Sequence, residues 1–324
     1  MKQLGVLGTM IWDTIHRSDQ PTAVEEWGGI GYALAALDAS LPDDWSIVPL
    51  VKVGRDLAPA ASRFLSSLER AAPQARFVEV AEPNPRVTLR YVDDQRRCEG
   101  LRGGVPPWSW QELGPMLLGL DALYANFITG FECDLATMQA VRRGFHGPIY
   151  GDLHSLALGV GPDGTRYYRR IEEALAWLTC FDVVQLNEDE MGQLGEEPLT
   201  LAARALELGV GAVCVTVGPR GAVYVAAGDF SGLHWSGASR PARGPGSGIT
   251  RTALVEVEGG PVSGDPTGCG DVFGATCMAR LLAGDSVESA IGAANRAARR
   301  NVSFRGASGL AQHLRGSLVQ AEST

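Results

Sequence analysis

A glycine-rich turn that leads into an apolar helix holds the residues best suited to chemistry in this sequence. It reads Gly264-Asp265-Pro266-Thr267-Gly268-Cys269-Gly270-Asp271, and residues 276–283 continue it at helical spacing until Gly284. Small residues before a helix let backbone N–H groups point into open space, where the helix dipole adds positive potential. The turn therefore predicts an anion site, above all for the charge that develops on a phosphoryl group during transfer.

Asp271 falls in the first turn of that helix. By itself, an acidic residue there is a mild stabiliser of the helix dipole. Beside an anion site, its carboxylate is placed to accept the proton of an attacking hydroxyl group. We therefore predict Asp271 as a catalytic base and the N–H groups of Gly268, Cys269 and Gly270 as an anion hole. A tight turn with a favourable acidic residue is the structural alternative.

A second pair of polar residues follows a predicted strand. Asn187 ends that strand, and Glu190 lies three residues later on the same face of the next helical turn. Mg²⁺ prefers oxygen ligands and keeps most of its waters, so one carboxylate and one amide acting through water suffice to hold it. A helix N-cap asparagine before an acidic first turn explains the same pair without a metal.

These residues need a framework, and the sequence predicts an α/β fold. Apolar runs typical of buried strands alternate with helical patterns, which indicates right-handed crossovers and a mostly parallel sheet covered on both faces. Ligands bind beyond the carboxyl ends of the strands in such sheets. The predicted strands are 3–8, 47–53, 122–128, 148–152, 182–186 and 212–217, and the predicted helices are 32–38, 60–68, 135–143, 166–178, 189–194 and 200–208.

Two stretches, 14–27 and 84–105, lie outside this alternation. Residues 87–92 have strand-forming side chains, and the following Asp93-Asp94 supplies turn chemistry. We predict that the two stretches form a small β-sheet within one domain that spans 1–324. This sheet is either a lid over the site or a surface hairpin. The run 239–249 is rich in glycine and proline and predicts a mobile surface loop.

Composition excludes several classes of function. The net charge of −9 argues against a general nucleic-acid binder, which needs a basic face. The six cysteines are scattered without metal-ligand spacing, as in a reduced cytosolic protein. No signal peptide and no run of apolar residues long enough to span a membrane is evident. We therefore expect a soluble cytoplasmic protein.

The segment Asp265–Asp271 resembles the C-terminal signature of the ribokinase-like, or phosphofructokinase-B, carbohydrate kinases, which ends in a catalytic aspartate. The resemblance runs over almost the whole chain in the family's order. Residues 8–13 resemble the opening strand with its substrate-contacting aspartate, here Asp13. Gly28-Gly29 resembles the di-glycine that packs close to the sugar.

This resemblance implies a three-layer α/β/α sandwich with a mostly parallel central sheet and a small β-sheet lid, with ATP as the phosphoryl donor. It implies that Asn187 and Glu190 organise Mg²⁺, and that Asp265 lies where a monovalent cation such as K⁺ would bind. Residues resembling those that line the nucleotide in this family are Thr216, Gly218, Gly221 and Asn295. Asparagines in helices are more often merely exposed, and a hairpin turn explains the segment at 216–221 equally well.

Three residues depart from the family pattern. Ala33 stands where the family usually has an asparagine that contacts a sugar hydroxyl, so an acceptor held in the usual way is in doubt. Pro266 replaces a common threonine and removes one N–H group. Cys269 replaces an alanine in the anion hole, which should be tolerated because the backbone N–H does the binding. Elsewhere, His154 near Asp152 is read equally well as facing the substrate or as a structural histidine.

Together these patterns predict a kinase that moves the γ-phosphoryl group of ATP to a hydroxyl of a small sugar-like substrate, with Asp13, Gly28 and Gly29 holding the acceptor. Two alternatives remain. One is a nucleoside kinase of the same fold. The other is a catalytically silent nucleotide- or sugar-binding regulatory protein, which Ala33 motivates and Asp271 argues against. An exposed apolar lid face would favour a homodimer.

Overall fold

The computed structural model describes residues 1–16, 22–91, 97–233, 249–260 and 262–317 of the chain. Except for Ile249, the loop predicted at 239–249 lies outside the described residues. The strands are β1 Lys2–Leu7, β2 Met10–His16, β3 Val24–Gly29, β4 Trp45–Leu50, β5 Lys52–Gly54, β6 Val78–Val80, β7 Arg86–Tyr91, β8 Arg97–Arg102, β9 Ala122–Asn126, β10 Ile149–Asp152, β11 Leu158–Val160, β12 Arg166–Tyr168, β13 Val183–Asn187, β14 Ala212–Thr216, β15 Ala222–Ala227 and β16 Thr250–Val255. The α-helices are α1 Ile30–Ser40, α2 Ala58–Ser66, α3 Trp110–Met116, α4 Leu135–Gly144, α5 Ala174–Leu178, α6 Glu188–Met191, α7 Pro198–Glu207, α8 Cys269–Leu282, α9 Val287–Asn301 and α10 Leu310–Arg315.

The main sheet has the strand order β16-β15-β14-β13-β10-β9-β1-β4. From β4 to β14 the neighbouring strands are parallel, and only β15 and β16 pair antiparallel. Helices α1, α8, α9 and α10 pack together as one group, while α3, α4, α5 and α7 pack as another. This is the α/β sandwich that the sequence predicted.

The parallel strands are mostly buried because helices cover them, which explains their apolar runs. Every residue of β9 is buried, and so is every residue of β10. Three polar residues stand at the carboxyl ends of these strands: Asn126 ends β9, Asp152 ends β10 and Asn187 ends β13. Parallel strands therefore bring three polar side chains to one edge of the sheet.

A separate four-stranded sheet has the order β3-β2-β7-β8. It takes strands from both stretches, 14–27 and 84–105, that lay outside the predicted alternation, although its first strand begins earlier, at Met10. Asn84 joins this sheet to the rest of the domain. Its buried amide donates to the Met10 carbonyl oxygen (2.9 Å), and its Oδ1 accepts from the Gly54 N–H (3.1 Å).

The helix predicted at 166–178 is wrong in its first half. Residues 158–168 form the hairpin β11–β12 instead, and only Ala174–Leu178 is α-helical. Arg166 is held in the hairpin by its guanidinium, which donates to the carbonyl oxygens of Ile128 (3.3 Å) and Thr129 (3.0 Å). Glu173 then adopts a left-handed conformation (φ 52°), so the helix begins after it.

The strand predicted at 47–53 is divided. Its first part, β4, pairs with β1, whereas β5 leaves the main sheet and pairs with β6. Lys52 explains the change of direction, because its buried ammonium reaches the Pro107 carbonyl oxygen (3.0 Å) and the Glu112 carboxylate (2.8 Å). A charged side chain with such partners is not compatible with the apolar interior of the main sheet.

Among the residues described, none of the helices combines the length and the hydropathy needed to cross a membrane.

Candidate active site

The turn before α8 is a tight backbone structure. Gly268 caps the helix with φ 77°, and the Cys269 N–H donates to the Pro266 carbonyl oxygen (3.1 Å). A Cβ atom at Gly268 would lie 2.4 Å from the ring of Tyr32, so both conformation and space require glycine there. Tyr32 belongs to α1, and this contact fixes the turn against that helix.

Gly270 is a different kind of glycine. A Cβ atom at this position would have only the Gln185 Nε2 near it, at 4.0 Å, so folding does not require a glycine here. The residue is exposed, and its N–H group has no hydrogen-bond acceptor among the described residues. The open space in front of Gly270 is therefore a feature that an anion could use.

Asp271 follows in the first turn of α8 and is partly exposed, so its carboxylate is not enclosed in the packed core. The side-chain amide of Asn126 donates to Asp271 Oδ1 at 2.8 Å. Asn126 is buried at the carboxyl end of β9. This bond joins the predicted base to a strand that is 145 residues away in sequence.

A buried polar network lies beneath the same turn. The Gln185 amide donates to the Gly270 carbonyl oxygen (2.9 Å) and to Asp152 (3.1 Å), and the Tyr150 hydroxyl donates to Gln185 Oε1 (2.9 Å). A Cβ atom at Gly274, one helical turn on, would lie 2.3 Å from Gln185 Oε1. The network thus fixes how closely α8 approaches the sheet.

His154 stands in a strongly negative environment. Its Nδ1 lies 3.2 Å from Asp152 Oδ1, and one polar side-chain atom from each of Asp152, His154 and Asp271 lies within 4.8 Å of the others. Burial lowers the pKa of the imidazole, but the carboxylates of Asp152, Asp271 and Glu190 outweigh burial and raise the pKa of His154 to about 10. His154 is therefore a cation at neutral pH.

Asn187 and Glu190 form a capping box at the start of α6. The Glu190 N–H donates to Asn187 Oδ1 (2.8 Å), and the Asn187 N–H donates to Glu190 Oε2 (2.8 Å). Burial of Glu190, opposed in part by the positive charge of His154, raises the pKa of its carboxyl to about 7. The helix cap foreseen from the sequence is thus present, and the same oxygens suit a hard cation.

A cleft of about 390 Å³, named here the donor cleft, opens beside the start of α8. Predicted residues from three separate parts of the chain meet in it: Thr216, Gly218, Gly221, Cys269, Gly270 and Asn295. Apolar side chains complete its wall, among them Val257, Val262, Phe273, Ala298 and Val302. The structure therefore gathers the predicted nucleotide-lining residues around one space.

Two of these residues also stabilise the cleft. Asn295 is buried, and its amide donates to the Val255 carbonyl oxygen at 2.8 Å. Gly221 has φ 111°, and a Cβ atom there would lie 2.1 Å from that same carbonyl oxygen. Both therefore join the floor of the donor cleft to the end of β16, and Asn295 is not the merely exposed helix asparagine that was the simpler expectation.

Asp13, Gly28 and Gly29 form what we call the acceptor side. Asp13 is buried, and a Cβ atom at Gly28 would lie only 1.8 Å from Asp13 Oδ2, so glycine is needed to leave room for the carboxylate. Gly29 has φ 55°, and its Cβ atom would lie 2.8 Å from both the Thr9 carbonyl oxygen and Ile128 Cγ2. The di-glycine thus allows a close approach of β2 and β3.

Asp265 and Ala33 lie on the packed edges of the site. Asp265 is buried, and its Oδ1 accepts from the Thr267 N–H (2.9 Å) and hydroxyl (2.6 Å). Its role in the turn is therefore structural whether or not a cation binds nearby. Ala33 is fully buried in α1.

A smaller cavity of about 180 Å³ lies between the small sheet and the main sheet. Thr9 contributes to its wall. The Thr9 carbonyl oxygen also accepts from the N–H of Ile30 (3.1 Å), the residue directly after Gly29 of the acceptor side. The other walls include Leu101, Val105, Trp108, Phe131, Glu132 and Val160. Glu132 accepts hydrogen bonds from the Thr9 hydroxyl (2.7 Å) and the Thr129 N–H (2.7 Å), so the space that remains is mainly apolar.

Sequence reasoning missed Asn126 and Gln185. Both stand in strands that were predicted as apolar runs, and a polar residue in such a run at the carboxyl end of a parallel strand is the signal that could have found them. In the sequence analysis, Asp152 is named only as the neighbour of His154.

Residues 168–313 match the family model described as pfkB family carbohydrate kinase. No curated protein matches the chain in sequence.

Solved structures match over nearly the whole chain. A pyrophosphate-dependent kinase in the ribokinase family, in complex with sulfate, has a TM-score of 0.69 at 15% identity and covers 94% of this chain and 96% of its own. Burkholderia thailandensis nucleoside kinase in complex with inosine has a TM-score of 0.66 at 15% identity, covering 95% and 93%. Thermotoga maritima ribokinase has a TM-score of 0.67 at 17% identity, covering 97% and 98%. At these identities the likeness shows the fold.

Proposed function

We propose that this chain transfers the γ-phosphoryl group of ATP to a hydroxyl group of a small sugar-like acceptor, because residues 168–313 match the pfkB carbohydrate kinase model and the fold is that of ribokinase. One observation carries this proposal. The partly exposed Asp271 carboxylate comes directly after Gly270, which lines the donor cleft and whose N–H group has no acceptor among the described residues.

In the proposed reaction, the acceptor oxygen attacks the γ-phosphorus and its proton passes to Asp271. The bond between the γ-phosphorus and the bridging oxygen breaks, and ADP leaves with the electron pair. The N–H group of Gly270, with that of Gly268 beside it, stabilises the charge on the moving phosphoryl oxygens, whereas the Cys269 N–H is held in the turn by the Pro266 carbonyl oxygen (3.1 Å).

The residues proposed for Mg²⁺ fit a hard cation. The Glu190 carboxyl is buried with its pKa raised to about 7, so a nearby cation would offset an unfavourable buried charge. Glu190 and Asn187 would hold the ion, in part through water. When bound, Mg²⁺ neutralises charge on the phosphate oxygens.

ATP is favoured over pyrophosphate by the apolar wall of the donor cleft. Val257, Phe273 and Val302 offer surface that a purine ring can cover, whereas pyrophosphate has no apolar part. The question is real because pyrophosphate-dependent kinases share the fold. The proposal includes a K⁺ ion near Asp265 only because the family resemblance implies a monovalent cation there.

The acceptor lies, in this proposal, between Asp13 and Asp271 and under the small sheet. That sheet acts as a lid whose closure excludes water and suppresses ATP hydrolysis. A nucleoside is the second candidate acceptor. The 180 Å³ cavity beside Thr9, with Trp108, Leu101 and Val160 in its wall, has the size and the apolar character to receive a ring.

The test is a panel of sugars, polyols and nucleosides incubated with Mg²⁺ and either ATP or pyrophosphate. Product esters are detected by phosphorus NMR, with ADP or phosphate release measured in parallel. We expect ester formation with ATP and at least one acceptor. Ester formation with pyrophosphate alone would overturn the choice of donor. Binding of ATP by calorimetry with no ester from any acceptor would support the silent regulatory protein instead.

A further inference from the structure

Asn126 is the buried amide nearest the proposed base. It is 1% exposed, stands at the last position of β9 and is paired in register with Asp152 of β10. Its Nδ2 donates to Asp271 Oδ1 at 2.8 Å and lies 3.4 Å from the Tyr124 hydroxyl. Its own Oδ1 is buried and has no hydrogen-bond partner among the described residues.

That unsatisfied oxygen is informative. A buried acceptor without a partner destabilises the folded state, so the local structure would be more stable with an apolar side chain here. The amide nevertheless makes one short bond, and that bond goes to Asp271. A side chain that lowers the stability of the fold while it contacts the reacting carboxylate is typical of a functional residue rather than of a residue that serves packing.

We infer that Asn126 is a positioning residue for the proposed base. By donating to Oδ1 it holds the Asp271 side chain in one rotamer. An amide suits this task better than a carboxylate does, because Asp152 and Asp271 already place two negative charges beside His154. The inference rests on the proposed function, since it assigns a role to Asn126 through Asp271.

The backbone supports this assignment. A Cβ atom at Gly8 would lie 3.1 Å from the Asn126 carbonyl oxygen, so the end of β1 packs closely on the end of β9. Strand β9 is paired on both sides, with β1 up to Ala125 and with β10 at Asn126 itself, so the Asn126 main chain is fixed. A side chain on such a rigid strand can define the position of a residue on α8 more narrowly than a loop side chain can.

The experiment compares Asn126→Ala and Asn126→Asp with the wild type in the phosphoryl-transfer assay. We expect kcat to fall about 10-fold or more in Asn126→Ala, with the KM for ATP within about twofold, because one charge-assisted hydrogen bond to the base is lost. Asn126→Asp should be the more damaging of the two, since an ionised carboxylate cannot donate and repels Asp271.

A merely structural role predicts the opposite order, because aspartate keeps the shape of asparagine and alanine does not. Equal or better activity in Asn126→Asp would therefore overturn the inference. Tyr124→Phe is the matched control: it removes the hydroxyl on the other side of Nδ2 without touching Asp271. We expect its kcat to stay within about threefold of wild type, since it loses only one weak neutral contact.

Crystal structures of the wild type and Asn126→Ala separate this inference from the proposed function. In the wild type the Asp271 carboxylate should face Asn126, and in Asn126→Ala it should adopt another rotamer or show several. An unmoved Asp271 in the variant would refute the positioning role even if the protein proved to have no kinase activity. A moved Asp271 without turnover in the wild type would refute only the catalytic proposal.

Discussion

The donor cleft and the acceptor side are built in opposite ways. The donor cleft is lined largely by glycines, backbone and small apolar side chains, and a Cβ atom at Gly270 would meet open space. The acceptor side is closely packed, and the buried Asp13 carboxylate fills the space that a Cβ atom at Gly28 would need. A triphosphate can be bound by main-chain groups that many sequences supply, whereas an acceptor is selected by particular side chains.

This difference explains why the donor side is easier to recognise. Glycines spaced before a helix allow backbone N–H groups to form an anion site, whatever the neighbouring side chains are. One side chain can decide which acceptor binds without changing the fold. Ala33, which stands where the family usually has an asparagine, is expected to act in this way. Substitutions on the two sides should therefore affect different kinetic constants, in the following order of size.

Gly270→Val should abolish phosphoryl transfer, because the branched side chain fills the open space in front of the anion site. Folding should be preserved, since a Cβ atom at Gly270 has no neighbour closer than 4.0 Å. The matched control is Gly274→Ala, whose Cβ atom would lie 2.3 Å from Gln185 Oε1. The control should lose about 1–3 kcal/mol of unfolding free energy by overpacking. ADP production at the wild-type rate in Gly270→Val would count against the anion site.

Asp271→Asn should lower kcat by about 10²-fold or more, the usual contribution of a positioned base. The melting temperature should change little, because Asp271 is partly exposed and asparagine keeps its size. Steady-state kinetics together with a thermal melt measures both quantities. Near-normal turnover would remove Asp271 from its assigned role.

Gly28→Ala should raise the KM for the acceptor by about 10-fold or more, since displacing Asp13 removes a charge-assisted hydrogen bond to the substrate. The dissociation constant for ATP should not change, because Gly28 takes no part in the donor cleft. Gly100→Ala is a suitable control, as a Cβ atom at this glycine of the same small sheet meets nothing within 4 Å. If Gly28→Ala weakens ATP binding instead, the two sides are not separate.

The smallest effect concerns the ion pair of Lys52 and Glu112, beside the 180 Å³ cavity. The hydrogen bond from Lys52, followed by those from Ser109, lowers the pKa of the Glu112 carboxyl from 4.5 to about 2. A lowered pKa contributes stability above the unfolded-state value, and this stability is lost as the pH falls from about 4.5 towards 2.

Glu112→Gln tests this contribution, because glutamine keeps one oxygen for the capping box of α3 while it removes the charge and the acceptor of the Lys52 ammonium. The difference in unfolding free energy from wild type should be below about 1 kcal/mol near neutral pH, since the carboxylate is half exposed and screened. Denaturant titrations between pH 5 and 2 should show this difference in unfolding free energy decreasing as the pH falls. A difference that grows in acid would contradict the assigned sign.

Particular segments show how much of the fold could be predicted. Strands β9, β10, β13 and β14 were predicted within two residues of their observed ends, because continuous apolar runs between helical patterns admit few other structures. The helix expected at 166–178 failed, because residues 158–168 pair as a hairpin and Arg166 bonds to carbonyl groups that follow β9. Such partners are not visible in local sequence.

The sequence by itself determined the alternating framework, the helix start at Gly268–Asp271 and the glycines that line the donor cleft. These are local properties, since they depend on backbone conformation and on the spacing of small and apolar residues. Only the tertiary structure decided that Asn126 contacts Asp271 and that Gln185 supports Gly270. Those contacts join residues 145 and 85 positions apart, and they depend on the order of strands in the sheet, which no local pattern records.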